Sequence, residues 1–390
     1  MTRILIAPDK FKGSLSAREV ADNIAIGLRE VLPEAKVDIV GMADGGEGTA
    51  DAICDALHGS WVNCSAHDPL GREIETRYAF VEDRKLAVME MSAAAGMKLL
   101  RPDEYDVDRA STFGVGEMLL DATRHGANEI IVGLGGSATN DGGFGMARAL
   151  GFRFLDDDDE FKGGMTELVK LTHIMTPLPG ASRPPWGRDR AERREDRGEG
   201  NSSAVFRQLL PRIVAAVDVR NPLLGERGAT RVFGPQKGVR PDKIDLFEQG
   251  LAKYADVVAR DLHVDFRNEP GAGAAGGLGF GLMSFCGAEL RSGFDVVSEA
   301  VGLESKMKDV DLVITGEGSL DRQTLEGKTP AGVSRLARKL GKRVFAIVGR
   351  AGEDREAREL FDGVYELGGS IPEARELLRE KARELAEDLL

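Results

Sequence analysis

Short apolar runs recur along most of the chain, each followed by a Gly-, Asp- or Ser-rich loop and then by residues at helical spacing. The runs Ile4–Ala7, Val37–Val40, Leu86–Met89, Ile130–Leu134, Val214–Val217, Leu312–Thr315 and Val344–Val348 read as buried strands. Ser16 followed by Glu19 is a capping box, and Val20, Ile24, Leu28 and Val31 recur at helical spacing behind it. A second helix is expected from about Thr49. From Glu373 onward, Leu378, Leu385 and Leu389 make one stripe among Arg and Glu, which predicts a surface helix with a structural role. This alternation predicts an α/β protein with a largely parallel sheet. In such sheets ligands sit beyond the carboxyl ends of the strands, so the polar loops there are where chemistry is sought.

The segment 177–203 breaks the pattern. It holds Pro177, Pro179, Pro184 and Pro185, then alternating Arg and acidic residues from Arg188 to Glu199. A basic arm for an anionic partner would need surplus positive charge. Here the acids nearly balance the arginines, so a solvated, mobile surface insertion is expected. The length of 390 residues suggests two or three domains. With 52 Lys+Arg against 65 Asp+Glu the net charge is −13, which argues against a nucleic-acid partner. A local lysine cluster can still meet an anionic small substrate. No segment approaches the ~18 apolar residues of a membrane span. Pro8 and Asp9 end the first apolar run too early for a signal-peptide core, so no membrane partner and a cytoplasmic location are expected. Cys54, Cys64 and Cys286 give neither zinc spacing nor a disulfide framework.

Six loops carry candidate chemistry. Asp9–Ser14 lies between a strand and a helix, where Lys12 reads either as an anion contact or as a surface lysine in an ordinary turn. DGGEG at 44–48 and DGGFG at 141–145 each place Asp before two glycines at a helix start. Paired glycines let N–H groups converge on an anion while Asp supplies a base or a metal contact; a capped tight turn is the alternative. In GLGGSATNDGG, Gly133, Gly135 and Ala138 match a dinucleotide fingerprint, but the loop runs too long before its helix. Ser137, Thr139 and Asn140 there suit phosphate or hydroxyl recognition. GPQKG sets Lys237 between glycines, and PGAGAAGGLGFG at 270–281 allows either close approach to a ligand or tight packing. In TGEGSLDRQTLEGKT, Glu317 and Asp321 stand at a strand end as a Mg²⁺ environment. Its EGKT is no P-loop, because Arg322 occupies the required glycine position, yet Lys328 can contact a phosphate. Asp218, after another strand, adds a carboxylate. The five histidines, at 58, 67, 125, 173 and 263, all lie outside these loops, which argues against a Ser-His-Asp hydrolase or a His-based metal centre. Glycines, lysines, hydroxyls and carboxylates suit phosphoryl transfer.

PDKFKGSLSA, ADGGEGT, GLGGSATNDGG, FGPQKG, PGAGAAGGLG and TGEGSLDRQTLEGK, in this order, resemble the bacterial glycerate kinase family. The resemblance runs from about residue 1 to 348 and more loosely to the end. It implies phosphorylation of D-glycerate with ATP and Mg²⁺, to 2-phosphoglycerate or else 3-phosphoglycerate. It also implies two α/β domains. One, over 1–60 and 285–390, is flavodoxin-like or Rossmann-like with a parallel sheet. The other, over 61–284, is mixed α/β and restriction-enzyme-like.

On this resemblance, Asp44, then Asp218, is expected as catalytic base, with Lys12 or Lys237 neutralising charge. Asp9, Ser14, Glu47, Asn140 and Asp141 are expected at the substrate. Gly135, Gly136, Ser137, Lys237, Gly273, Gly276 and Lys328 are expected at the phosphates, and Asp218, Glu317 and Asp321 at Mg²⁺. Two departures stand out: Lys10 replaces an expected small residue, and the insertion around 183–200 is long and charged. A homo-oligomer stays open, as do a non-catalytic metabolite sensor and an NAD-dependent hydroxy-acid dehydrogenase.

Overall fold

The computed structural model describes residues 2–157, 159–161, 163–177, 207–325, 328–352, 354–368 and 373–390. Beyond residue 177, the insertion expected over 177–203 lies outside the described residues. The chain forms two compact units, Met1–Gly59 with Ser292–Leu390, and Ser60–Arg291. The main strands of the first unit begin with β1 (Arg3–Ile6) and β2 (Lys36–Ile39). The second unit carries β3 (Ser60–His67), β4 (Glu73–Val81), β5 (Leu86–Glu90), β6 (Glu129–Gly133), β7 (Arg212–Val217) and β8 (Glu289–Ser292). The chain then completes the first unit with β9 (Leu312–Thr315), β10 (Arg343–Val348) and β11 (Gly363–Glu366).

The first unit's sheet runs β11-β10-β9-β1-β2, parallel throughout. In order of appearance within the unit this is the doubly wound arrangement 2-1-3-4-5. The winding reverses between β1 and β9, so the loops leaving their carboxyl ends part there and open a crevice. Asp9 follows β1 and Glu317 follows β9, which puts both at that switch point. Ile4, Ile6, Leu312 and Ile314 are fully buried in the core below.

The helix Ala17–Val31 starts where its capping box predicts. Ser16 Oγ accepts from the Glu19 N–H at 3.2 Å, and Glu19 Oε2 accepts from the Ser16 N–H at 2.9 Å. The C-terminal helix Ala374–Asp388 packs against it through the predicted stripe, with Leu378 and Leu385 fully buried. Gly27 sits where the two helices cross. A Cβ there would come within 2.3 Å of the Arg379 carbonyl oxygen and 2.8 Å of Ala382 Cβ.

The second unit's sheet runs β8-β7-β6-β5-β4-β3. It is mixed: β5, β6 and β7 are parallel, while β3–β4 and β4–β5 are antiparallel. The β3–β4 hairpin is absent from the sequence-based reading because β3 and much of β4 alternate exposed and covered positions instead of forming an apolar run. The return to the first unit falls after residue 291, later than the expected 284. Phe285 and Cys286 are buried in the second unit's core, and β8 belongs to its sheet. Among the described residues, no helix is long and apolar enough to cross a membrane.

Gly27→Ala puts a methyl group against backbone that cannot swing aside. The expected result is a loss of roughly 1–3 kcal/mol of unfolding free energy, read as a lower urea midpoint.

Candidate functional site

The strand-end loops gather charged groups in each unit separately. In the first unit, Asp9 leaves β1 with its N–H donating to the Gly316 carbonyl, which fixes it beside the β9 loop. Asp9 is 7% exposed. Oδ2 accepts from Thr329 Oγ1 at 2.8 Å and Oδ1 from the Lys10 N–H at 2.7 Å. Burial, with Asp44 nearby, raises the Asp9 pKa to about 6 against the opposing pull of Lys10. The Lys10 ammonium donates to the Glu47 carbonyl and lies 3.7 Å from Asp9 Oδ1 and 4.0 Å from Asp44 Oδ1. It thereby ties the loop after β1 to the loop after β2. Asp44 Oδ1 accepts from the Gly46 N–H at 3.1 Å, while Oδ2 has no protein partner among the described residues.

Glu317, also 7% exposed, accepts from Thr324 Oγ1 at 2.7 Å. Burial raises its pKa to about 7. Lys328 stands 4.0 Å from Glu317 Oε2 and 3.8 Å from Asp321 Oδ1, so it meets carboxylates of its own unit rather than facing outward as a spare cation. Lys12 is exposed at the tip of a tight turn closed by Phe11 and Leu15, and Ser14 Oγ is occupied by the Phe11 carbonyl.

In the second unit, the loop after β6 holds the charges. Gly133 ends β6 and the next helix starts only at Phe144, so the apparent dinucleotide fingerprint lacks its helix. Asp141 is 1% exposed and takes hydrogen bonds from the Thr112 hydroxyl and N–H at 2.8 and 2.9 Å, and from the Gly143 and Gly145 N–H groups. The carboxylate expected at the substrate is therefore saturated by protein donors; it anchors the loop. Asn140 Nδ2 donates to Thr230 Oγ1 at 2.9 Å, and its Oδ1 is buried with no partner among the described residues.

Lys237 is 4% exposed, and its amine lies 2.6 Å from Ser137 Oγ and 2.7 Å from the Thr139 carbonyl. Burial pushes its pKa down to about 7. Gly273 and Gly276, expected at phosphates, are glycines for packing: a Cβ would strike the Pro222 carbonyl at 2.2 Å and the Thr139 carbonyl at 1.9 Å. Ala275, Gly276 and Gly277 run consecutively left-handed, at φ 52°, 68° and 89°. The turn they make carries the carbonyl that receives the Gly142 N–H. For Ala275 this conformation costs about 1–2 kcal/mol.

Asp9, Asp44, Glu47, Glu317, Asp321 and Lys328 thus gather in the first unit, with Lys12 and Ser14 on the turn beside them. Ser137, Asn140, Asp141, Lys237 and Gly276 gather in the second, with Gly135 and Gly136 at the head of the loop. Asp218 is exposed after β7 of the second unit, whereas its expected metal partners Glu317 and Asp321 belong to the first. Among the described residues, no three His, Cys, Asp or Glu side chains are placed to enclose a metal. Sequence reasoning passed over Thr329, Thr324 and Thr112, whose hydroxyls orient Asp9, Glu317 and Asp141, and Thr230, whose hydroxyl accepts from the Asn140 amide. Only Thr324 and Thr329 lie inside a recognised motif; Thr112 and Thr230 are brought in by the fold.

The family model described as the glycerate kinase family matches residues 4–179 and 202–389. A glycerate kinase of Halalkalibacterium halodurans is 38% identical over 99% of this chain and 98% of its own length. A glycerate 2-kinase of Escherichia coli K12 is 41% identical over 90% of this chain and 86% of its own. The crystal structure of a protein assigned as glycerate kinase 2 from Salmonella typhimurium LT2 superposes with a TM-score of 0.83 at 38% identity, covering 100% of this chain and 98% of that one.

Lys237 gives a stability prediction with a definite sign. A lysine whose folded pKa falls from 10.5 to about 7 penalises the folded state fully below pH 7, and the penalty fades as pH rises toward 10.5. Lys237→Met removes that dependence. Relative to wild type, the variant gains up to about 3 kcal/mol more unfolding free energy at pH 6 than at pH 9.5. Urea denaturation at the two pH values checks this; a pH-independent difference would contradict the lowered pKa.

Proposed function

Since the chain belongs to the glycerate kinase family and is a kinase, we propose that it transfers the terminal phosphoryl group of ATP to a hydroxyl of D-glycerate, giving 2-phosphoglycerate. The observation that carries the catalytic part of this reading is Asp44. One carboxylate oxygen is fixed by the Gly46 N–H, with Lys10 alongside, and the other has no protein partner among the described residues. That is the disposition of a base waiting for a substrate hydroxyl.

In the reaction, the glycerate hydroxyl oxygen forms a bond to the γ-phosphorus while the bond to the β,γ-bridging oxygen breaks, and ADP leaves with that electron pair. The hydroxyl proton passes to Asp44 Oδ2, late along the path if the transition state is loose. Asp9 and Glu47 border Asp44, and Lys10 holds their loops in register, which fixes the acceptor's orientation. Lys12, exposed on the neighbouring turn, offers a charge for an incoming anion. In the second unit, Ser137, Lys237 and the N–H groups of Gly135 and Gly136 are the phosphate-binding candidates, with Asn140 beside them.

Glu317 and Asp321 suit Mg²⁺. The ion characteristically takes one or two carboxylates and completes its shell with water and phosphate oxygens. A buried carboxylate with a raised pKa, as Glu317 is, gains by facing a cation. When bound, Mg²⁺ supplies charge neutralisation to the transferring phosphates. Asp218, exposed after β7, remains the second choice as base and a further candidate for Mg²⁺.

Phosphorus NMR of a mixture of D-glycerate, ATP and Mg²⁺ is expected to show 2-phosphoglycerate and ADP; a 3-phosphoglycerate signal instead would revise the regiochemistry. Asp44→Asn is expected to lower kcat about a hundredfold or more with KM for glycerate nearly unchanged. Turnover close to wild type would remove Asp44 from the role.

A further inference from the structure

Lys237 has an environment that its assignment as a phosphate contact does not by itself explain. The side chain is almost wholly buried, and its amine meets only neutral oxygens: Ser137 Oγ at 2.6 Å and the Thr139 carbonyl at 2.7 Å. Among the described residues it makes no ion pair. In the same loop the Thr139 hydroxyl is buried with no hydrogen-bond partner among the described residues and can donate to an anion, whereas the equally unpartnered Asn140 Oδ1 is an acceptor only. The left-handed turn at Ala275–Gly277 presses on the Thr139 carbonyl so closely that only glycine fits at 276. The loop is therefore rigid while its polar groups remain unsatisfied. An ammonium buried among neutral acceptors is strongly disfavoured, and an entering anion supplies the missing countercharge.

We propose that Lys237 closes a buried anion seat in the second unit, and that its amine takes up a proton from solvent as an anionic group of the substrates, phosphoryl or carboxylate, enters. In the empty seat the two N–H bonds of the neutral amine donate to Ser137 Oγ and the Thr139 carbonyl, and the Ser137 hydroxyl donates in turn to the Thr139 carbonyl. On binding, the Nζ lone pair gains H⁺ from the buffer, and the new N–H⁺ faces the anion. No other bond forms or breaks, and release returns the proton. Burial lowers the Lys237 pKa to about 7, in keeping with an empty seat that is neutral above that pH. Asp141 is the titratable group that faces Lys237, and its charge opposes the lowering. Tyr254, which in turn faces Asp141, has its pKa raised well above the ordinary value and stays neutral. The inference rests on the kinase reading only for the identity of the anions.

Titration calorimetry of the full chain at pH 8.5, in two buffers of very different ionisation enthalpy, tests it. The probes are ATP with Mg²⁺, D-glycerate and inorganic phosphate, each alone. At that pH the carboxylate of glycerate and the phosphates of ATP are ionised and inorganic phosphate is almost wholly its monohydrogen dianion, so the uptake that is lost in the Lys237 variants belongs to the protein. The expected result is an uptake approaching about one proton per chain. It should shrink toward zero at pH 6 and vanish in Lys237→Met and Lys237→Gln. Uptake with ATP or phosphate identifies a phosphoryl seat; uptake with glycerate alone identifies a carboxylate seat. Binding heats independent of buffer at pH 8.5 overturn the proposal, and leave the kinase reading standing if the same preparation makes phosphoglycerate. Uptake with phosphate but no phosphoglycerate product defeats the kinase reading and keeps the seat. Failure of all three probes to bind overturns the seat.

Discussion

In both strand-end clusters, each buried charged group is held by a hydroxyl at close range. Thr329 meets Asp9 at 2.8 Å, Thr324 meets Glu317 at 2.7 Å, Thr112 meets Asp141 at 2.8 Å, and Ser137 meets Lys237 at 2.6 Å. The nearest opposite charges, where they exist, stand back: Lys10 is 3.7 Å from Asp9 and Lys328 is 4.0 Å from Glu317. A hydroxyl fixes a charged group's direction without cancelling its charge. A tight ion pair would neutralise it and hold its pKa far from the working range. Because the hydroxyls orient and burial dominates, Asp9, Glu317 and Lys237 all have pKa values drawn toward neutrality, to about 6, 7 and 7.

This arrangement is possible because parallel strands deliver their carboxyl ends to one edge. In the first unit the reversal of winding between β1 and β9 sets the Asp9 and Glu317 loops side by side. In the second, β5, β6 and β7 supply neighbouring loops. The turn at Ala95–Met97 ties down the one after β6 through bonds between Ala138 N–H and the Ala95 carbonyl, and between Met97 N–H and the Gly136 carbonyl. The glycine-rich segment at 270–281 then locks this loop from behind. What looks along the chain like a flexible nucleotide cradle is largely backbone packed on backbone, and its glycines are needed to avoid collision.

The two DGG loops show how one local pattern leads to two different outcomes. Each Asp caps its own turn through the N–H two residues on, and each turn ends in a left-handed glycine that opens a helix. Asp141 is also reached by Thr112 from a distant segment and becomes a buried structural anchor. Among the described residues, Asp44 receives no such partner and keeps one oxygen free of protein donors. The difference lies in what the fold brings up against each turn.

The chain's sequence by itself determined the apolar runs that become parallel strands, the capping box at Ser16, the leucine stripe of the last helix and the loops in which charged residues reside. All of these depend on periodicity or on neighbours a few residues apart, and such information is written locally. The β3–β4 hairpin was not legible, since alternating half-exposed positions give no apolar run. Nor could the sequence separate Asp44 from Asp141, or divide the glycines at 273 and 276 from ligand contacts. It gave no sign that Lys237 would be buried with no ion pair among the described residues. Tertiary structure alone decided these, because burial, desolvation and the arrival of a hydroxyl or a carbonyl from tens to hundreds of residues away depend on what packs against a residue and leave no trace in its immediate neighbours.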